Sequence, residues 1–256
     1  MKSLFFLLLF TVSAYCSDIQ LEKQDLHKIG LQVWQNECRG TVDGLITWNL
    51  GEEFPSLGLG HFIWHPKGSK SRFEETFPKL IEFLQSHEIE LPSWIAKAKG
   101  CPWKDRETFL KEKRGKKMLK LRNLLTDTLD LQILFLYERF QEEEKKLTPL
   151  LTKQEKNYLQ KLKESSQGVY ALIDYTHFKG TGLSPKERYR GEGWGLLQVL
   201  QMMAESQTKE ATVTTFVSSA KKVLAKRVRN APLSRKEERW INGWYKRLET
   251  YSSITL

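Results

Sequence analysis

One glycine-punctuated stretch limits the possible folds of this chain more than any other feature. Between residues 41 and 64, Gly44, Gly51, Gly58 and Gly60 separate short apolar runs, first Leu45-Ile46-Thr47-Trp48 and then Leu57, Leu59, Phe62, Ile63 and Trp64. Short runs bounded by turn residues predict two or three strands in a hairpin or meander. No other segment reads convincingly as β, and the residues that follow carry helical periodicity. So small a β segment cannot form the main layer of a core, so helices must pack on helices. The expected class is α+β, mostly α, with a small β-hairpin lobe and a larger helical lobe.

The helical readings run along the rest of the chain. Residues Asp18 to Cys38 place Ile19, Leu26, Ile29, Leu31, Val33 and Trp34 as a buried stripe, and Arg39-Gly40 supplies the stop. Glu37 therefore falls in the last helical turn. Ser71 is expected to cap a helix holding Phe73, Phe77, Leu80, Ile81 and Leu84, with Glu74 in the capping-box position. Pro92, Gly100 and Pro102 mark a connection. One long helix is expected from about Met118 to Phe140, with others near 152–165, 168–178, 186–204, 212–229 and 234–250.

Composition narrows the class. With 256 residues, 40% hydrophobic and 28% charged, the chain is neither disordered, collagen-like nor a polytopic membrane protein. Its net charge is +10. The excess is clustered: residues 104–123 hold nine basic and three acidic side chains, and residues 221–256 hold ten and three. Runs of this kind are mostly solvated helix faces, and their sign suits an anionic partner.

The first sixteen residues read as an address. Lys2 is the only charge before Asp18, Leu4 to Phe10 is apolar throughout, and Val12-Ser13-Ala14 offers a cleavage site. The apolar run is too short to span a bilayer and fits a secretion signal. Residues 1–16 are therefore expected to be a signal peptide and 17–256 one domain, exported to the periplasm or secreted. Cys16 raises lipid anchoring as an alternative, against which Tyr15 is a poor neighbour. In such a compartment Cys38 and Cys101 can pair, or both can be buried free thiols. No Cys/His cluster has metal-ligand spacing, so no metal and no cofactor are expected.

The candidate chemistry begins at Glu37. A carboxylate at a helix C-terminus sits at the negative end of the helix dipole, which raises its pKa. Trp34 and Trp48 would exclude water and push the same way. A carboxyl kept protonated near neutral pH is what a glycosidase general acid requires.

The segment Glu37-Cys38-Arg39-Gly40, followed by Trp48-Asn49 and then Ser56-Leu57-Gly58-Leu59-Gly60-His61, resembles the start of phage-type lysozymes, in the lysozyme-like superfamily. In that family a catalytic Glu ends the first helix, and a hairpin closes on a Thr-Ile-Gly-Ile-Gly-His-like run. Ala171 to Gly182 looks like the family's buried central helix. Arg227-Val228-Arg229-Asn230-Ala231-Pro232 with Arg235, Glu238 and Arg239 is similar to its C-terminal helix–turn–helix. The matching segments keep the family order over about a third of the chain, while residues 100–165 read as a helical insertion. The resemblance implies cleavage of the β-1,4 glycan of peptidoglycan. Glu37 would be the acid, Glu52 or Glu53 the second carboxylate at a spacing that departs from the family's, and Ser56 the hydroxyl that positions water. Gly58 and Gly60 would let backbone approach sugar, with Trp48 and Asn49 beside them.

Other residues carry two readings each. His61 either orients groups in the cleft or bonds a carboxylate between lobes, and the second is preferred. Tyr189 and Glu192, in the glycine-rich stretch before Leu196, are candidates to line the site. Asp174 lies in an apolar helical run and needs a partner, so a structural salt bridge is expected. If neither Glu52 nor Glu53 reaches the cleft, Glu37 acts alone and the enzyme is a lytic transglycosylase. A non-catalytic glycan-binding or envelope protein on the same fold is the alternative from another class. A chitosan-cleaving relative would favour a more acidic cleft. A nucleic-acid partner is set aside because of the export signal. The remaining expectations are a monomer and peripheral or lipid-anchored membrane association.

Overall fold

The computed structural model describes residues 23–69, 73–185, 187–206 and 210–253. The expected signal peptide, Cys16 and the capping Ser71 lie outside the described residues. The architecture is mostly helical with a small three-stranded sheet. Among the described residues no helix is long and apolar enough to cross a membrane.

Helix α1, Lys23–Cys38, ends where the Arg39-Gly40 stop was read. Both stop residues have positive φ, so the chain leaves the helix through left-handed backbone. A 3-10 turn at Val42–Leu45, capped by the Thr41 hydroxyl on Gly44 N–H, leads into the sheet. Strands β1 (Ile46–Thr47), β2 (Ser56–Leu57) and β3 (Phe62–Ile63) pair antiparallel in the order β1-β2-β3, with Ile46 opposite Leu57 and Leu57 opposite Phe62. The meander read from the glycines is therefore present.

Helices α2 (Phe77–Ser86), α3 (Ser93–Ala96) and α4 (Arg106–Lys111) follow. The first begins without a side-chain cap, behind Thr76 and with Pro78 in its first turn. Its Glu74 neighbour pairs with Lys79 and Arg139 rather than closing a capping box. The single long helix read from Met118 to Phe140 is two, α5 (Lys116–Asp127) and α6 (Leu129–Leu147). Thr128 breaks it: its hydroxyl donates to Leu124 O, and the Gln132 amide donates to both Leu125 O and the Thr128 hydroxyl. These side-chain bonds compete with the helical ladder, a local effect that apolar periodicity does not register.

Helices α7 (Lys153–Lys163), capped by a Thr152/Glu155 box, and α8 (Ser166–Lys179), capped by Ser165, match their expected positions. The segment 186–204 is helical only from Leu196. Before it, β4 (Arg188–Tyr189) and β5 (Glu192–Gly193) form a second hairpin, so the first β segment is not the only one. Arg190 and Gly191, the two turn residues, both have positive φ, as a two-residue turn matched to strand twist requires. Helices α9 (Leu196–Glu205), α10 (Val213–Asn230) and α11 (Glu238–Ser253) complete the chain. The last starts four residues later than read, because Lys236 sits in left-handed backbone with φ 48°.

One hydrophobic cluster runs through all of this. It joins Ile29 and Val33 of α1, Leu57 and Phe62 of the sheet, Phe109, Leu121, Ile133 and Phe140 of the 100–165 region, and Tyr175, Phe216 and Tyr251 of the C-terminal helices. Gly58 and Gly60 belong to this packing. A Cβ on Gly58, where φ is +72°, would sit 2.5 Å from Gln132 Oε1, and one on Gly60 would sit 2.7 Å from Phe62 Cζ. These glycines let α5 and α6 close on the sheet, and their Cβ positions face the core.

Cys38 and Cys101 are both free and buried. Cys38 donates weakly to Gly58 O, and Cys101 to Trp103 O. Burial pushes each thiol up to about 12. Neither thiol is therefore expected to react with a disulfide reagent in the folded protein, and reductant is expected to leave the Tm unchanged. A thiol count before and after unfolding checks this, and a Tm that falls in reductant would contradict it.

Candidate active site

The end of α1, the middle of α8 and the middle of α11 meet around one guanidinium. Arg247 donates from Nε to Asp174 Oδ2 and from Nη2 to Asp174 Oδ1, each at 2.8 Å. The same Nη2 donates to Glu37 Oε1 at 2.5 Å. Asp174 is fully buried and takes two further donors, Tyr251 OH at 2.7 Å and the Asn36 amide at 3.5 Å. The partner expected for Asp174 is thus present and comes from α11. Arg227, singled out in the sequence, instead binds Glu237 at the turn between α10 and α11.

Glu37 stands where it was expected, one residue before the end of α1, with its side chain 16% exposed. Two histidines flank it. His61 Nδ1 lies 3.6 Å from Oε2, and His177 Nε2 lies 4.0 Å from Oε1. His61 also reaches Gly44 O through its other nitrogen, which ties the sheet to the helix end. Its preferred reading, a carboxylate contact between lobes, fits this placement.

The charge state of Glu37 is the reverse of the expectation. Burial acts to raise its pKa, but Arg247, then His177 and His61, more than offset this and hold the carboxyl below its ordinary 4.5. The expected rise is overcome by a guanidinium in contact and two flanking histidines, none of which entered that expectation. The resting site therefore holds an ionised Glu37.

A cleft of about 730 Å³ opens beside this cluster. Its walls are α6 (Arg139, Phe140, Glu143), the end of α8 (His177 to Thr181) and the second hairpin with the α10–α11 turn (Tyr189, Trp194, Arg227, Arg235, Glu237, Trp240). Glu37 is not on the wall itself and connects to it through His177. On the far wall Arg227 grips Glu237 at 2.8 and 2.9 Å, and Tyr189 OH donates to the same carboxylate at 2.8 Å. The Arg227 guanidinium also lies 4.0 Å over Trp194. Of the cleft carboxylates, Glu187 alone has no ion-pair partner among the described residues, and burial raises its pKa.

The other candidates divide between the cleft and elsewhere. Tyr189 lines the cleft. Glu192 does not: it pairs with Lys226 at 2.7 Å and accepts from Asn230. Glu52 and Glu53 line a separate hollow with Trp48, Lys67, Lys104 and Arg106. There Asn49 donates to Glu52 Oε2, and the Trp48 indole donates to Glu52 O. Trp48 is only 5% exposed and packs edge-on against Phe109, so its ring is core. Ser56 is buried in β2. The proposed second carboxylate is thus not brought to Glu37.

Lys179, which sequence reasoning passed over, ends α8 on the cleft wall. Its Nζ sits 3.5 Å from the Trp244 ring centre and 3.8 Å from that of Phe178, and among the described residues no carboxylate is in ion-pair range. The ring faces favour the ammonium. Burial, followed by the nearby Arg227 and Arg247, nonetheless pushes it down to about 6. A base whose folded pKa is depressed costs stability in full below that pKa, where both states are protonated, and the cost fades as pH rises toward the unfolded value. From this group, stability is therefore expected to rise with pH between about 6 and its ordinary 10.5. Lys179→Met should remove that slope and raise stability at pH 7 by up to about 4 kcal/mol. Urea denaturation across pH checks it, and a flat difference between the two proteins would contradict it.

No family model, curated protein or solved structure matches this chain. Among the described residues no group of three or more His, Cys, Asp or Glu side chains is placed to hold a metal ion.

Proposed function

We propose that this chain is an exported, lysozyme-like enzyme that cleaves the β-1,4 glycan strand of peptidoglycan, with Glu37 as its proton-transfer group. The observation that carries the reading is the placement of Glu37: a carboxyl at the end of a helix, beside His61 at the end of the β2–β3 turn and joined by His177 to a cleft. Aromatic and charged side chains both line that cleft, which suits an amphipathic sugar chain with acidic groups.

The distribution of carboxylates favours the single-glutamate branch, a lytic transglycosylase, over a two-carboxylate hydrolase. Asp174 is saturated by Arg247 and Tyr251, and Glu52 and Glu53 face another hollow. In that branch Glu37 first protonates the glycosidic oxygen as the C1–O bond breaks. The resulting carboxylate then takes the proton of the sugar's own C6 hydroxyl as its oxygen bonds to C1. The products are a free 4-hydroxyl and a 1,6-anhydro end, and no water is consumed.

The Arg247 clamp places a condition on this chemistry. Glu37 can donate only from its protonated fraction, so the rate grows as pH falls toward the carboxylate range. The same clamp is the observation that favours a second reading, a glycan-binding protein whose Glu37 is structural. Loss of turbidity in a suspension of purified sacculi at acidic pH separates the two: clearing supports the enzyme, whereas pelleting with sacculi without clearing supports the binder.

A further inference from the structure

The turn between α10 and α11 carries the most exposed large apolar side chain among the described residues. Leu233, on a 3-10 turn spanning Leu233–Arg235, is 95% exposed, and Trp240, in the first turn of α11, is 42% exposed. Neither belongs to the core cluster. The surrounding charge is mainly positive, with Glu238 the one exposed carboxylate of residues 229–246. Arg229, Arg235, Lys236 and Arg239 are all exposed, and among the described residues none has an ion-pair partner. Over residues 229–246 the acidic side chains are Glu237, which is buried against Arg227, and Glu238. Arg239 lies over the Trp240 ring at 4.5 Å, so the cation and the indole form one amphipathic unit.

A protruding leucine and a tryptophan set in unpaired guanidinium and ammonium groups form a surface suited to one environment. Cations meet anionic headgroups, the indole lies at the headgroup level, and the aliphatic tip enters the acyl boundary. A soluble polyanion would satisfy the cations and leave Leu233 in water. The other highly exposed leucine, Leu50 at 88%, lies beside Glu52 and Glu53 and lacks that charge setting.

We infer that the α10–α11 turn is a docking surface for an anionic lipid bilayer, with Leu233 and Trp240 as the inserting groups and Arg229, Arg235, Lys236 and Arg239 as the headgroup contacts. Arg235 and Trp240 also line the cleft, so docking would bring the cleft mouth to the membrane face. This reading is independent of what the cleft cleaves or binds.

The test is cosedimentation of the purified protein with vesicles of phosphatidylglycerol and phosphatidylcholine in equal parts, and with phosphatidylcholine alone. The wild type should partition at least about tenfold more strongly to the anionic vesicles, since each cation near such a surface contributes about fivefold. Leu233→Glu should lose about tenfold or more of that binding, while Leu50→Glu should bind as the wild type does. Helical content by circular dichroism confirms that both variants fold. Equal binding to the two vesicle types would overturn the inference. Undiminished binding by Leu233→Glu, or an equal loss in Leu50→Glu, would overturn it as well.

Discussion

Arg247→Met is expected to destabilise the protein by about 3–5 kcal/mol, the range for a buried charge stripped of its partner. Asp174 has no exposed surface, and both its oxygens take the guanidinium. Without it the carboxylate keeps only Tyr251 and a long contact to Asn36. Glu37 loses its closest cation at the same time, while its burial remains. Burial opposes the charge of Arg247 as well, and the Asp174 and Glu37 carboxylates overcome this and raise its pKa. The three groups are therefore one unit, and their effects should not add. Arg247→Met with Asp174→Asn removes both buried charges and should recover most of the loss. Urea denaturation of the single and double variants checks this. A single variant within about 1 kcal/mol of wild type would show that the buried pair is not what joins α8 to α11.

Glu37→Gln is expected to lower glycan cleavage by about 10²- to 10⁴-fold, the usual contribution of a positioned proton-transfer group. The amide oxygen can still accept from Arg247 Nη2, so the fold should persist. The same substitution carries a stability signature. A carboxyl whose folded pKa is depressed contributes stability that is present above its ordinary 4.5 and is lost as pH falls through the lower folded value. Glu37→Gln should remove that part of the acid transition and leave the rest. A variant that keeps wild-type cleavage while losing the acid-stability component would confine Glu37 to a structural role.

Features set by local chemistry were legible in the sequence. The Arg39-Gly40 stop placed Glu37 in the last turn of α1, four glycines marked the meander, and the helices read near 152–165 and 168–178 are present as α7 and α8. The apolar setting of Asp174 announced a buried partner. What was not legible depended on distance or on very short elements. Arg247 is 210 residues from Glu37 and is one of ten basic residues in its region, so nothing local selects it. Its absence from the reading reversed the inferred charge state of Glu37, since the dipole and the tryptophans were the only influences visible. The second hairpin has strands of two residues, too short to show alternation, and an arginine in one of its left-handed turn positions. Gly58 and Gly60 were read as sites of close approach to sugar, while the structure places protein groups against them. The approaching groups are Gln132, Phe62 and Leu136, from the protein's own core.

The helical lobe assembles its cleft from groups that lie far apart in the chain. Lys179 between two rings, Arg227 on Trp194 and Tyr189 on Glu237 come from four separate segments. Tyr189 was a site candidate in the sequence, but its pairing with Glu237 and the contacts of Lys179 and Arg227 depend on the packing of α8, α10 and α11.

The most direct measurement is mass spectrometry of the muropeptides released from purified sacculi at acidic pH by the wild-type protein and by Glu37→Gln. The account predicts 1,6-anhydro glycan ends from the wild type and none from the variant. Reducing ends from the wild type would move the reaction to hydrolysis and require a second carboxylate. Cleavage by both proteins, or by neither, would contradict the assignment of proton transfer to Glu37.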